Sequence, residues 1–261
     1  MLGYDLLKAC HAHHDQVATY SWPDIDISCE DSIAPVLDKA DCVINCAAYT
    51  RVDDAEKERE QAYAVNAGGA GLVAHLCAKR GLKLIHISTD YIFDGQKGAP
   101  YVETDAPAPL NYYGLTKWQG EEAVRSAGGH SLIVRTQSLY GLQGRNFVKA
   151  ILQKIQQGQK VLQVVQDQIS SPTYTRHLAS ALIRLLSVSA EGLVHVASSG
   201  ACSWFEFAKA IVAKTHASVS VEPIQSEQLN LPAKRPAYSV LDTTHYSRLT
   251  GVAMPSWSEG L

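Results

Sequence analysis

The chain reads Asp-Cys-Val-Ile-Asn-Cys at residues 41–46 and Leu-Lys-Leu-Ile-His-Ile-Ser at residues 82–88. Both are short and largely apolar, as expected of parallel strands that are covered on both faces. Between them, residues 53–80 have the pattern of one long helix, which ends in a basic residue and a glycine, Arg80-Gly81. Strand, helix and strand in this order predict a right-handed crossover within a parallel sheet.

The same alternation continues along the chain. We predict further strands at 16–20, 131–135 and 192–197, and helices at 2–12, 30–39, 113–127, 144–157, 175–188 and 203–215. Helices and strands that alternate in this way predict an α/β fold with a doubly wound, Rossmann-like parallel sheet. The sequence contains no clean linker, so we expect any second domain to be built from C-terminal insertions.

Composition excludes several classes of protein. The 261 residues are 46% hydrophobic and 19% charged, and 23 basic against 26 acidic side chains give a net charge of −3. This is a globular composition without the basic footprint of a nucleic-acid-binding protein. The sequence has no apolar run long enough to span a bilayer and no signal peptide at its start. We therefore predict a cytoplasmic protein that binds neither nucleic acid nor membrane.

Cysteine and histidine residues give no metal pattern. None of the six cysteines is in a CxxC pair, and several lie in apolar runs, which favours reduced, structural thiols. The cluster of His11, His13 and His14 has no acidic or cysteine partner at a ligand spacing. We interpret this cluster as the end of the first helix and predict no metal site.

A tyrosine and a lysine four residues apart are the first candidate for catalysis. On a helix, Tyr113 and Lys117 share one face. The pKa of a tyrosine is normally about 10, and a nearby ammonium group lowers it towards the range useful in acid–base chemistry. The spacing alone is also compatible with an ordinary solvated helix face.

Two other segments directly follow predicted strands. Ser88-Thr89-Asp90 ends the strand 82–88, and Ala47-Ala48-Tyr49-Thr50 follows the strand 41–46. Ligands of open α/β sheets bind outside the carboxyl ends of the strands, so these segments and the Tyr113 helix converge on one edge. Ser, Thr and Asp are equally common in ordinary turns and N-caps. Convergence at one edge favours an active site.

Longer stretches carry a resemblance to a known family. They are VINCAAYTRVDDAE at 43–56, STDYIFDG at 88–95, PLNYYGLTK at 109–117, and PAKRP at 232–236 followed by Ser239 and Leu241. The chain resembles the extended short-chain dehydrogenases/reductases and, among them, the dTDP-4-dehydrorhamnose reductase family. The resemblance covers essentially the whole chain. It implies one NAD(P)-binding domain over 1–261, with a substrate-binding α/β subdomain formed mainly from about 136–261.

The resemblance also implies a reaction. NADPH or NADH would reduce the C4 ketone of dTDP-4-dehydro-L-rhamnose, a nucleotide sugar used in polysaccharide biosynthesis. Tyr113 would protonate the developing alkoxide, and Lys117 would hold the nicotinamide ribose and lower the tyrosine pKa. Thr89 would donate a hydrogen bond to the reacting oxygen. Members of this family can form homodimers.

Other residues receive binding roles from the same resemblance. The implied cofactor-binding residues, besides Tyr113 and Lys117, are Gly3, Asp26, Ile27, Ala47, Ala48, Tyr49 and Thr50. The implied substrate-binding residues are Thr89, Asp90, Ser138 and Arg235.

The chain departs from the family pattern at its start, at its end, at Ser138 and at Ser170. The family begins with a strand and a G-x-x-G-x-x-G turn, of which Met1-Leu2-Gly3 resembles only the last positions, and it continues beyond Leu261 into a final helix. We therefore expect a sequence trimmed at both ends. Ser138 stands where the family commonly has Trp, and Ser170 where glycine is usual. Residues 20–22 carry no charge that selects between NAD and NADP.

Two alternatives remain open from the sequence. Ser138 favours another nucleotide-sugar reductase or epimerase of the same superfamily. A non-catalytic regulatory homologue is the other, since the regulatory subunit of methionine adenosyltransferase resembles this family. The presence of Thr89, Tyr113 and Lys117 together argues against a purely regulatory role.

The sequence predicts weak or absent dinucleotide binding by the 261-residue chain, because a glycine turn normally brings backbone N–H groups to the pyrophosphate. Titration of the purified chain with NADPH tests this expectation. Micromolar binding would contradict it.

Overall fold

The computed structural model describes residues 1–13 and 16–261, so His14 lies outside the described residues. Within these ranges, the strands are β1 (Cys42–Asn45), β2 (Lys83–Thr89), β3 (Ser131–Thr136), β4 (Leu139–Tyr140), β5 (Val161–Val165), β6 (Ile169–Ser170), β7 (Thr173–Tyr174), β8 (Gly192–His195), β9 (Cys202–Ser203) and β10 (Ser220–Ile224). The α-helices are α1 (Leu2–Ala12), α2 (Glu30–Leu37), α3 (Arg59–Tyr63), α4 (Ala70–Arg80), α5 (Tyr112–Ala127), α6 (Phe147–Gln156), α7 (Thr175–Ser187), α8 (Trp204–Thr215) and α9 (Thr244–Thr250). None of these helices is both long and apolar enough to cross a membrane.

The main sheet is parallel. Among the described residues its strand order is β1-β2-β3-β8, and every neighbouring pair runs in the same direction. Ile44 lies opposite Ile85, which in turn lies opposite Leu132. Ile85 and Leu132 are fully buried, as expected of strands covered on both faces.

Helices cover both faces of this sheet. On one face, Leu2 and Leu6 of α1 pack with Leu178 and Leu182 of α7 in one hydrophobic cluster. On the other face, residues of α2, α4 and α5 form a second cluster, namely Ile33, Leu37, Val73, Leu76 and Val124. The predicted doubly wound, Rossmann-like α/β fold is therefore confirmed.

A third cluster lies beside the main sheet. The short pairs β4-β7, β5-β10 and β6-β9 accompany α6 and α8 there, and Tyr140, Leu162 and Phe207 are buried among them. Residues 136–261 form this cluster, but they also include β8, which is a strand of the main sheet, and α7, which packs against one face of that sheet. The proposed division into a domain and a substrate-binding subdomain stays a prediction.

Two expectations about secondary structure are wrong. Residues 16–20 form no strand, because a strand requires a ladder of hydrogen bonds and no described strand pairs with them. The single helix expected over 53–80 is divided into a 3₁₀ turn (Asp54–Glu56), α3, a π-helical segment (Ala64–Gly69) and α4. A π-helical segment holds one more residue per turn and is frequent at functional sites.

Helix α5 lies very close to two neighbouring backbones. A Cβ atom at Gly114 would collide with the carbonyl of Tyr91, and one at Gly120 would collide with the carbonyl of Asn66. The helix begins at Asn111, whose side chain accepts a hydrogen bond from the Gly114 N–H at 2.8 Å. The two glycines thus set how near α5 comes to the turn that follows β2 and to the π-helical segment.

A buried ion pair joins α5 to β3. Arg135 donates to both carboxylate oxygens of Glu121, at 2.9 and 2.7 Å, and Ser88 donates to the same carboxylate at 2.6 Å. Burial raises the pKa of Glu121, but the hydrogen bonds and charge of Arg135 outweigh it, so the pKa lies below its usual value. Arg125 contacts this carboxylate from the surface at 3.0 Å.

We expect Arg135→Met to destabilise the protein by about 3–5 kcal/mol, because it leaves a buried carboxylate without its main partner. Arg125→Met is the matched control, since it removes the other arginine from the same carboxylate. The Arg125 side chain is 38% exposed, so its loss should cost no more than about 1 kcal/mol. Urea unfolding of both variants measures the difference. Equal losses would contradict a dominant buried pair.

Candidate active site

The carboxyl end of β2 carries three consecutive polar side chains. Thr89 is the last residue of β2, and Asp90 begins a 3₁₀ turn that also contains Tyr91. The Thr89 hydroxyl donates to Asp90 Oδ1 at 3.1 Å and accepts from the Tyr91 N–H at 3.2 Å. Asp90 is only 2% exposed, and burial raises its pKa to about 6 although hydrogen bonds from Ser239 and Thr89 act in the opposite direction.

Tyr113 projects from the first turn of α5 towards this group. It is half-buried, and its ring meets the Tyr91 ring edge-on with 5.7 Å between centroids. Burial dominates and raises the pKa of the phenol to about 12, although a hydrogen bond with Thr89 lowers it, and the Asp90 charge acts in the same direction as burial. The structure therefore brings Thr89, Asp90 and Tyr113 together, as the sequence predicts.

Lys117 lies one turn further along α5 and is 2% exposed. Its ammonium donates to the Ile87 carbonyl at 2.7 Å. Burial lowers the pKa of Lys117 to about 8, while Glu121 and Cys46 act in the opposite direction. The expected lowering of the Tyr113 pKa by Lys117 is corrected here, because the ammonium is bonded to β2 and burial dominates the phenol.

The segment after β1 is tied to α5 through Asn66. The Asn66 side chain accepts from the Tyr49 N–H at 2.8 Å and donates to the Tyr49 carbonyl at 3.0 Å. It also donates to the Thr116 hydroxyl at 3.1 Å, and Thr116 lies between Tyr113 and Lys117 on α5. Asn66 was not predicted as a site residue, and its signal in the sequence is a polar residue within an otherwise small, apolar helical stretch.

The remaining predicted cofactor residues lie in two places. Ala47 and Thr50 are exposed and Ala48 is half-buried, so small side chains and accessible backbone follow β1. Ile27 packs against Gly69, close to Asn66, and the adjacent Asp26 carboxylate accepts two bonds from Ser28. Gly3 lies in the first turn of α1, with open space beside its Cα.

A cleft opens beside Asp90. Two of the predicted substrate residues, Asp90 and Ser138, line it. The other lining residues carried no predicted binding role, and they are Tyr91, Gln168, Ile169, Ser170, Trp204, Pro236 and Ser239. Ser138 has a positive φ of 46°, and its hydroxyl lies 2.8 Å from that of Ser170. The short β6-β9 pair, invisible in the sequence pattern, brings Ser170 and Trp204 to this cleft.

Of the predicted substrate residues, Thr89 and Arg235 do not line the cleft, and a carboxylate engages Arg235. Its guanidinium donates to both oxygens of Asp53, at 2.8 and 2.6 Å. Desolvation lowers the pKa of Arg235, but the Asp53 carboxylate outweighs it, and Arg235 in turn holds the Asp53 pKa below its usual value. This pair joins the C-terminal segment that contains Pro236 to the loop after β1.

A phenol, a hydroxyl, a carboxyl group and an ammonium group thus meet at one edge of the sheet. Hydrogen-bond donors and acids placed in this way beside a cleft can stabilise and protonate an oxygen on which negative charge develops.

Comparison with known proteins identifies the family. The model of the family described as RmlD substrate binding domain matches residues 1–261. The chain is 38% identical to the dTDP-4-dehydrorhamnose reductase of Mycolicibacterium smegmatis, over 100% of this chain and 81% of that protein. It is 42% identical to the spore coat polysaccharide biosynthesis protein SpsK of Bacillus subtilis, over 85% of this chain and 77% of that protein.

A solved structure agrees with these matches. The dTDP-4-dehydrorhamnose reductase of Bacillus anthracis, crystallised in complex with NADP, superimposes with a TM-score of 0.95 and 40% sequence identity. The match covers 99% of this chain and 92% of that one. Sequence and structure together show that the chain belongs to the dTDP-4-dehydrorhamnose reductase family.

Proposed function

We propose that this chain is an oxidoreductase that reduces the C4 ketone of dTDP-4-dehydro-L-rhamnose to the alcohol with NADPH or NADH. The observation that carries the proposal is the group formed by Thr89, Tyr113 and Lys117 at the carboxyl edge of the sheet, beside the cleft lined by Asp90 and Ser138. Membership of a family whose relatives bear the reductase name supports it. The product would serve polysaccharide biosynthesis.

Residues near Tyr113 fit a nicotinamide dinucleotide. Ala47 and Ala48 leave accessible backbone after β1, where a flat ring can approach, and the Tyr49 backbone is held in place by Asn66. When bound, the cofactor supplies a hydride to the carbonyl carbon of the sugar. Lys117 would hold the ribose next to the nicotinamide, which requires its ammonium to share its hydrogens between the Ile87 carbonyl and that ligand.

Thr89 and Tyr113 would stabilise and protonate the oxygen of the ketone. Thr89 donates a hydrogen bond that stabilises negative charge on that oxygen, and Tyr113 transfers its phenolic proton to it. The product alcohol therefore gains its hydroxyl proton from Tyr113, which must recover a proton before the next turnover. Burial keeps the Tyr113 pKa high, so the phenol is protonated and ready to act as an acid.

We further propose a cytoplasmic location. Cys42 and Cys77 are free thiols, in keeping with a reducing compartment. A nucleotide-sugar substrate is the expected small-molecule partner. A homodimer stays a prediction, and analytical ultracentrifugation of the purified chain tests it.

The proposed function is tested by following NADPH absorbance with the purified chain and dTDP-4-dehydro-L-rhamnose. We expect oxidation that depends on the sugar and yields dTDP-L-rhamnose, at NADPH concentrations high enough to offset the weak dinucleotide binding that the sequence predicts. A folded chain that binds NADPH and leaves the ketone unreduced would contradict the proposal.

We expect Tyr113→Phe to lower turnover by at least about 100-fold, because it removes the positioned acid. Tyr112→Phe is the matched control, since it removes a hydroxyl from the preceding residue of α5 and should keep turnover within about twofold of the parent. Steady-state assays at excess NADPH compare the two. Turnover by Tyr113→Phe at the parental rate would reject the assigned role.

The Lys117 ammonium should make cofactor affinity depend on pH. Because its pKa is lowered to about 8, the ammonium predominates below pH 8 and is lost as the pH rises through that value. The KM for NADPH should therefore rise above pH 8. Lys117→Met should raise this KM by about 10-fold or more at pH 7 and abolish that dependence. A pH dependence that persists in Lys117→Met would assign it to another group.

A further inference from the structure

Asp90 is an unusual buried acid at the edge of the cleft. Its Oδ1 accepts from Thr89, whereas its Oδ2 is buried and makes no hydrogen bond of normal geometry with any described residue. The Ser239 hydroxyl lies close enough to lower the pKa of the carboxyl, yet burial outweighs it. Removing a charged carboxylate from water in this way is costly unless cations or donors compensate.

The groups that face Asp90 do not include a compensating cation in the described part of the chain. Burial raises its pKa, whereas the Thr89 hydrogen bond, the nearby Ser239 hydroxyl and the backbone of Asp90 lower it. The titratable groups that Asp90 affects in turn are two phenols, Tyr91 on the same turn and Tyr113 on α5, and it raises the pKa of both. The nearby Arg235 guanidinium is already bonded to a different carboxylate.

The hydroxyl of Thr89 has one hydrogen and two acceptor sites. In this structure the hydrogen goes to Asp90, one acceptor site takes the Tyr91 N–H, and the Tyr113 phenol is the third hydrogen-bond partner, at the second acceptor site. With Asp90 ionised, Thr89 has no hydrogen left to donate to a ketone oxygen. When Tyr113 turns its hydroxyl to the substrate, a protonated Asp90 can donate to the acceptor site of Thr89 that the phenol leaves, which frees the threonine hydrogen for the substrate.

We propose that Asp90 works as a neutral acid that turns the Thr89 hydroxyl towards the substrate. Asp90 is thus a positioning residue that acts through Thr89 and transfers no proton to the sugar. This inference rests on the proposed reductase function for its role in turnover. The hydrogen-bond coupling of Asp90 to Thr89 and Tyr113 is a property of the free protein and can be measured without substrate.

The proposal fixes the sign of a pH effect. Neutral Asp90 predominates below its pKa of about 6, so turnover should be highest there and fall by about tenfold per pH unit once the carboxyl ionises. This fall of turnover with rising pH is the basic limb of the pH profile. A bound substrate that excludes water would move this limb to higher pH, because the charged form of Asp90 would be still less solvated. The limb belongs to Asp90 only if it depends on Thr89.

Four variants test the effect of Asp90 on turnover. Asp90→Asn is permanently neutral and should lose the limb, and Thr89→Ala should show lower turnover without that limb. Ser239→Ala should move the limb to higher pH, since Ser239 lowers the Asp90 pKa. Asp94→Asn, in the same loop with its carboxylate bonded to Tyr101, is the control and should keep the limb. A limb that survives in Thr89→Ala would overturn the proposal, because Asp90 would then act directly.

A second experiment measures the coupling of Asp90 to Thr89 and Tyr113 without substrate or turnover. Carbon-13 NMR of labelled aspartate and tyrosine in the free protein should show an Asp90 carboxyl titrating near pH 6, assigned by its loss in Asp90→Asn. The Tyr113 Cζ resonance should step at the same pH, and Thr89→Ala should shrink this step. An Asp90 pKa at the ordinary value of about 4 would overturn the proposal, and so would a Tyr113 step unchanged in Thr89→Ala.

The turnover and NMR experiments together distinguish failure of the Asp90 role from failure of the proposed function. If every variant and the parent leave the ketone unreduced while the NMR coupling is present, the reductase function is contradicted and the coupling of Asp90 to Thr89 stands. If the parent is active and the coupling is absent, the reductase function stands and the role of Asp90 is rejected.

Discussion

The close packing of α5 against the sheet is the constraint on which the rest of the structure depends. Tyr113, Lys117 and Glu121 follow one another at four-residue intervals, so they form one stripe of the helix. A stripe that faces a sheet is normally apolar. Here Lys117 bonds to the Ile87 carbonyl and Glu121 bonds to Arg135, so the polar stripe is satisfied by the sheet itself.

Burial then sets the chemistry of the edge. The same exclusion of water raises the pKa of Asp90 and Tyr113 and lowers that of Lys117, in each case favouring the neutral form. Glu121 differs because a bidentate arginine keeps it ionised. The structure therefore separates two sets of ionisable groups. Glu121 and Arg135 stay charged between α5 and β3. At the carboxyl edge of the sheet, the protonation of Asp90, Tyr113 and Lys117 can change during a reaction.

Much of this arrangement could be predicted from the sequence. The apolar runs at 41–46 and 82–88 indicate buried parallel strands, and Thr89, Tyr113 and Lys117 could be placed at one edge because parallel strands all end there. Local pattern does not reveal tertiary partners. It suggested a strand at 16–20 that no described strand pairs with, and it gave no sign that Arg235 is held by Asp53. It also could not show that burial, not Lys117, governs the Tyr113 phenol.

The π-helical segment at Ala64–Gly69 has a consequence for how this protein can vary. An α-helix turns by about 100° per residue, so the extra residue in a π turn shifts the phase of everything that follows it. Substitutions at exposed positions of this segment leave that phase unchanged. Deleting a single residue would restore regular winding and rotate Asn66 relative to α4, so that it could not face both Tyr49 and Thr116. The number of residues in this segment is therefore as important for these contacts as the Asn66 side chain that makes them.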